Sequence, residues 1–172
     1  VGKCMMDADD AVPARLLEKT TASPDESEAI AKRWHGRANG RLRAAFAPRD
    51  GAGALTFRGK MWFIGGWNPG DKKHFPRICN NEVWSTNNGI EWRRDKPNTV
   101  LDRSFDPTKD WEGRHTAGYA SLDDKLWIIG GDANQGHIQN DVWSSADGVH
   151  WFEIPNTPWK PRHAASVFTH DG

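Results

Sequence analysis

Lys125-Leu126-Trp127-Ile128-Ile129-Gly130-Gly131 is a run of apolar residues that closes on a glycine pair. A run of this length reads as a short buried strand, and the two glycines let the backbone change direction abruptly behind it. The same pattern stands upstream as Lys60-Met61-Trp62-Phe63-Ile64-Gly65-Gly66. Behind each copy come a polar loop, an acidic residue with Val-Trp-Ser (Glu82 to Ser85, Asp141 to Ser144), a glycine turn and a further Trp. The duplicated pattern predicts an all-β chain built from repeats.

Subtraction checks the alignment. Phe46, Arg49, Lys60, Trp62 and Gly65-Gly66 recur at one constant offset as Trp111, Arg114, Lys125, Trp127 and Gly130-Gly131. Val83-Trp84, Gly89 and Trp92 recur at a second, shorter offset as Val142-Trp143, Gly148 and Trp151, so extra residues are inserted after the first glycine pair. Trp159, Arg162 and His163 keep the spacing of Trp111, Arg114 and His115 and open a third copy. Four strands fit one unit: Thr116 to Leu122, Lys125 to Ile129, Asp141 to Ser145 and Val149 to Ile154. Turns are predicted at Asp123-Asp124 and Asp147-Gly148, the latter a pair favoured in type I′ hairpins. Arg58-Gly59 and Asn88-Gly89 take these places in the first unit.

Composition agrees with short strands and tight turns, because 10 Trp, 17 Gly and 10 Pro accompany few aliphatic residues. At zero net charge the 172-residue chain has no bulk electrostatic footprint for nucleic acid or an anionic membrane. No apolar run approaches the length of a membrane span, and no charged-then-apolar signal segment opens the sequence. Cys4 and Cys79 are too few for a disulfide framework or a zinc set. Residues 1–45 differ from the rest and read as partly helical or irregular. Pro13 to Lys19 and the capping pattern Ser23-Pro24-Asp25-Glu26 are the candidate helix signals, with Arg33, Arg37, Arg41 and Arg43 as a solvated basic face.

The Arg-His pairs, the glycine pairs and the Trp residues of the later strands resemble the kelch repeat. That resemblance implies a β-propeller, with residues 46–110 as one four-stranded blade and its linker, 111–158 as a second and 159–172 as the start of a third. The phrase Asp141-Val142-Trp143-Ser144-Ser145-Ala146-Asp147-Gly148 is similar to bacterial kelch-type proteins, many of them exported, which implies a secreted or periplasmic setting. One unit departs from the pattern, with Arg49-Asp50 in place of Arg-His. Ser145-Ala146-Asp147-Gly148 also resembles the Asp-box turn of sialidase-type propellers, but that box has one more residue before Gly and no glycine pair. Two blades and one strand do not close a propeller. The resemblance therefore implies further blades, six or seven in all, or completion by self-association.

Antiparallel order places the loop after each glycine pair and the connection between units at one end, opposite the tight turns. Both lengthened connections, Trp67 to Asn81 and Arg93 to Asp110, fall there, where binding residues concentrate. In kelch domains this end lines the mouth of the channel, so the resemblance makes Arg49, Arg114, His115, Arg162 and His163 the candidate ligand residues. Converging Arg side chains could hold a carboxylate or phosphate, and Trp67 or Phe75 could stack on a sugar or peptide. The competing reading is that each Arg and His satisfies backbone carbonyls between blades. Asp71, His74 and Cys79 share one loop without matching a standard metal spacing. Residues 131–136 imitate a phosphate loop but carry His137 where Lys is needed, and no cofactor, nucleophile-elbow or zincin motif occurs. Three functions stay open: a binding module for a glycan or partner protein, a sugar isomerase or epimerase of the kind some kelch-type propellers are, and scaffold blades. A copper oxidase would need Tyr ligands, and Tyr119 stands alone on a predicted inner strand.

Overall fold

A computed structural model describes residues 44–101, 103–134 and 136–170. The helix signals of residues 13–34 and Cys4 lie outside the described residues. Within them the chain is all-β, with two four-stranded antiparallel sheets and no helix. The first sheet is β1 (Gly53–Phe57), β2 (Lys60–Ile64), β3 (Val83–Thr86) and β4 (Arg93–Lys96). The second is β5 (Gly118–Leu122), β6 (Lys125–Ala133), β7 (His137–Ser145) and β8 (Phe152–Glu153). Each sheet is a simple meander, in which every strand pairs with its sequence neighbours. No described helix is long and apolar enough to cross a membrane.

Two local features differ from the sequence reading. The second glycine pair does not end its strand: β6 runs on to Ala133, with a register shift between Ile129 and Gly131. Gly130 and Gly131 have φ of 57° and 110°, so the pair acts as a bulge that lets the hairpin continue. In the first sheet the inserted residues form a loop instead, and β2 ends at Ile64. The turn at Asp147-Gly148 is not type I′, because only Gly148 has a positive φ there. Both central residues are left-handed at Arg58-Gly59 and at Asp123-Asp124, which are the true two-residue hairpins.

The Asp147 turn is organised by side chains. Asp147 Oδ1 accepts the N–H of Val149 and of His150, each at 2.8 Å, and Ser145 Oγ accepts the N–H of Gly148 at 2.8 Å. Asn88 and Thr86 do the same in the first sheet. This wide turn takes up Val149 to Trp151 and leaves β8 only two residues. Partial burial pushes the Asp147 pKa up, but the His150 ring, the two N–H groups and the Ser145 hydroxyl outweigh it and hold the carboxyl far below its usual range. A carboxyl with a depressed folded pKa adds stability that is present above its unfolded value, about 3.9, and is lost as pH falls toward the folded one. Asp147 is half exposed, so solvent screening keeps the contribution well below its ideal size. Asp147→Asn is expected to fold normally, as Asn88 shows the turn tolerates an amide. It should make the loss of stability below about pH 4 shallower in urea titrations. An unchanged acid limb would contradict the assignment.

The core lies between the sheets. Phe57, Trp62, Ile64 and Val83 from the first pack on Trp111, Leu126, Ile128, Trp143 and Trp151 from the second, with Leu55, Ala117 and Tyr119 at the margin. Each such buried side chain is worth about 1.5–3 kcal/mol. Trp62 and its counterpart Trp127 hold the same place in their own sheets but meet different surroundings. Trp62 faces the second sheet and is 4% exposed, whereas Trp127 faces away from the first and is half-buried. The two sheets therefore stack unlike face to unlike face.

A buried polar cluster anchors the long connection behind β4. Lys96 Nζ pairs with Asp110 at 2.8 Å, and Asn81 Nδ2 donates to Thr99 Oγ1, Asp110 and the Trp111 carbonyl. Trp111 is thereby delivered into the core at the start of the second unit.

Candidate functional site

The Arg residues at the start of each unit turn inward. The Arg49 side chain is 3% exposed and donates to the Gly65 carbonyl (3.2 Å), to Asn80 Oδ1 (2.7 Å) and to Glu82 Oε2 (2.8 Å). Arg114 is 1% exposed and donates to the Gly130 carbonyl (3.0 Å) and bidentately to Asp141, with Nη2 at 2.9 Å from Oδ2. The carboxylate in turn accepts an indole N–H two residues on: Trp84 to Glu82 at 3.1 Å, Trp143 to Asp141 at 2.7 Å. Each sheet thus contains an Arg–acid–Trp relay that ties its first strand to the strand after the loop. Arg162 keeps only the local part, Nε to the Lys160 carbonyl at 3.2 Å, and its guanidinium is exposed.

The residue after each Arg points elsewhere. Asp50, His115 and His163 are equivalent, and so are Trp67 and Asp132, the residues following the glycine pairs. Asp50 and Trp67 exchange backbone hydrogen bonds of 2.7 and 2.8 Å, as His115 and Asp132 do at 3.0 Å. These bridges extend each sheet at one end and set side chains along an arc in the order Asp50, Trp67, His115, Asp132, His163. The Trp67 and His115 rings lie 5.8 Å apart at 30°. His163 Nδ1 is 4.0 Å from Asp132 Oδ2, whose other oxygen accepts the Gly136 N–H at 2.7 Å. The Trp67 indole N–H is buried and has no hydrogen-bond partner among the described residues.

Cys79, the bridge partner of Trp67 on its other side, is a free buried thiol whose Sγ is 3.4 Å from His115 Nδ1. Burial pushes its pKa up, so the thiol stays protonated and inert toward electrophiles. Asp71 and His74 pair with each other at 2.7 Å, and with Cys79 they form no three-ligand group. No group of three His, Cys, Asp or Glu able to hold a metal occurs among the described residues. Tyr119 is wedged between the sheets, where a Cβ on Gly53 would overlap its ring, and its hydroxyl is buried. Phe75 is exposed on the inserted loop.

The candidate positions thus divide. His115, His163 and Trp67 stand along the arc, Arg49 and Arg114 are held inside their own sheets, and Arg162 is bonded through its backbone to Gly131 and Gln139 with its side chain exposed. Asp132 and Asp50 belong to the arc although the Arg-His pattern does not include them. A signal for them is nonetheless in the chain: Asp50 to Trp67 and His115 to Asp132 span the same interval, that of facing partners across one hairpin.

No protein-family model matches the chain, and no curated protein is similar enough to it to count as a relative.

Proposed function

We propose that residues 46–172 are blades of a kelch-type β-propeller serving as a binding module, with a neutral, hydroxyl-rich ligand such as a glycan held on the loop-bearing end. The observation that carries this reading is the arc of Trp67, His115, Asp132 and His163. An aromatic face beside imidazole and carboxylate groups suits the apolar face and the hydroxyls of a sugar ring. The two buried guanidiniums are already saturated by Glu82 and Asp141, which argues against an anion clamp built from them. The propeller reading is supported by the repeated contacts at the sheet junctions, where the Gly66 N–H donates to the Arg114 carbonyl at 2.8 Å and the Gly131 N–H to the Arg162 carbonyl at 2.9 Å.

The test is a glycan array probed with the full chain, followed by calorimetry on the best ligand. Trp67→Ala and His115→Ala are each expected to weaken binding about tenfold, the loss of about 1.4 kcal/mol of stacking or hydrogen bonding. Arg58→Ala, at the opposite end of the sheets, should bind like the wild type. An array without retained glycans would reject the reading in favour of scaffold blades, and equal binding by all three variants would reject the arc as the site. A second reading, a sugar isomerase or epimerase, draws on His163 and Asp132 as a facing pair able to move a proton. Deuterium uptake from solvent into the bound sugar would favour it over simple binding.

A further inference from the structure

We infer that the outer face of the second sheet is a docking surface for three further antiparallel strands of the same repeat, whose middle strand carries an acid-Val-Trp sequence that closes on Arg162. This rests on the propeller reading but not on any glycan. The first sheet shows what covers such a face. Leu55, Phe57, Trp62, Ile64 and Val83 form the face buried by the second sheet. Their counterparts Ala120, Leu122, Trp127, Ile129 and Val142 line a groove of about 370 Å³ on the far side of the second sheet. Trp62 is capped by the turn at Gly148, where a Cβ would overlap its ring. Among the described residues Trp127 has no such cap and remains half-buried.

Residues 159–167 show what belongs on this face, because they already make the contacts with which the second repeat begins on the first. The Thr116 N–H donates to the Gly51 carbonyl at 2.8 Å, and one repeat later the Ala164 N–H donates to the Thr116 carbonyl at 2.8 Å. Tyr119 fills the space over Gly53, and Val167, its counterpart, fills the space over Gly118. A Cβ on Gly65 would lie 2.9 Å from the Arg114 carbonyl, and one on Gly130 would lie 2.7 Å from the Arg162 carbonyl. The first strand position of a third sheet is therefore taken, in register, by this chain.

The remaining mismatch is a charge. All three Arg residues donate Nε to the carbonyl two residues back, Ala47, Glu112 and Lys160. Arg49 and Arg114 then meet Glu82 and Asp141, but Arg162 meets no carboxylate among the described residues and is exposed. The missing group would arrive two residues before a Trp, with a glycine turn behind it to cap Trp127. A second copy of this chain does not fit as a rigid body. Its own residues 49–57 would need the space that residues 162–167 occupy.

The probe is a peptide with the sequence of residues 125–154, the three strands that follow the equivalent position in the second unit, fused to a soluble carrier. Its binding to the full chain is followed by fluorescence anisotropy without any sugar present, so failure of glycan binding leaves this result untouched. Saturable binding is expected, weakened at least tenfold by Arg162→Ala and equally by Asp141→Asn in the peptide. Combining the two changes should weaken it no further, as for partners in one contact. Arg162→Lys should retain part of the binding, and both Arg162 variants should melt like the wild type because the side chain is exposed. The inference is overturned by absence of binding, by binding indifferent to Arg162, or by concentration-dependent self-association of the chain that the peptide does not compete with.

Discussion

Replacing Arg114 by Ala is expected to lower the unfolding free energy by about 3 kcal/mol, the low end for breaking a buried ion pair. The substitution leaves the Asp141 carboxylate with only the Trp143 indole N–H, and it strips the Gly130 carbonyl of its side-chain donor. The low end applies because Asp141 keeps some contact with water, its side chain being 16% exposed. Arg162→Ala removes the same residue type from the same repeat position, yet it should cost less than about 0.5 kcal/mol, as at other surface sites. Urea denaturation of the three proteins decides the matter. Equal losses at both positions would mean that the relay does not hold the sheet together. The double change Arg114→Met with Asp141→Leu should recover much of the loss, because removing both charges also removes the cost of burying one alone.

A glycine series should give an effect of similar size for a different reason. At Gly148 the φ is 77° and an added Cβ would overlap the Trp62 ring, which belongs to the other sheet. Gly148→Ala is expected to cost about 3 kcal/mol, combining about 1–2 kcal/mol for the left-handed backbone with the strain of overpacking. Gly59 has a φ of 70° but nothing within 4 Å of the added methyl, so Gly59→Ala should show the backbone cost alone. Gly89 stands between them: the atom it meets, Met61 Cε at 3.0 Å, is the end of a flexible side chain and can move. The drop in melting temperature should therefore grow in the order Gly59→Ala, Gly89→Ala, Gly148→Ala. Equal shifts would show that the turn does not bear on Trp62.

The β character, the order of the strands and the two-residue hairpins can be read from the chain because each rests on local signals. Lys60 to Ile64 and Lys125 to Ile129 alternate in burial as the pattern requires, and the hairpins at Arg58-Gly59 and Asp123-Asp124 need only neighbours in sequence. What the sequence leaves open is the direction of side chains at strand starts. An Arg before a strand can reach outward to a ligand or fold back on a carbonyl, and the pattern Arg-His is the same for both. The deciding partners, Glu82 and Asp141, stand far along the chain, beyond a hairpin and the loop that follows it. A clue is present nonetheless, since an acid two residues before Trp recurs whenever a complete unit follows its Arg. The Asp147 turn escapes such a reading because Asp-Gly is shared by two turn families. The choice between them depends on Ser145 and His150 and not on the dipeptide itself.

Arg114 belongs to two sheets at once. Its carbonyl receives the Gly66 N–H of the first, while its guanidinium is fixed to Gly130 and Asp141 of the second. It is thus one joint between the two sheets, alongside the Thr116 N–H on the Gly51 carbonyl and the packing of Tyr119 over Gly53 and of Gly148 on Trp62. The outer part of loop 67–81, around the exposed Phe75, can change length and chemistry under selection, whereas its ends, Trp67 and Cys79 to Asn81, touch His115, Gly113 and Trp111 of the second unit. A change at Arg114, by contrast, would disturb both sheets at once.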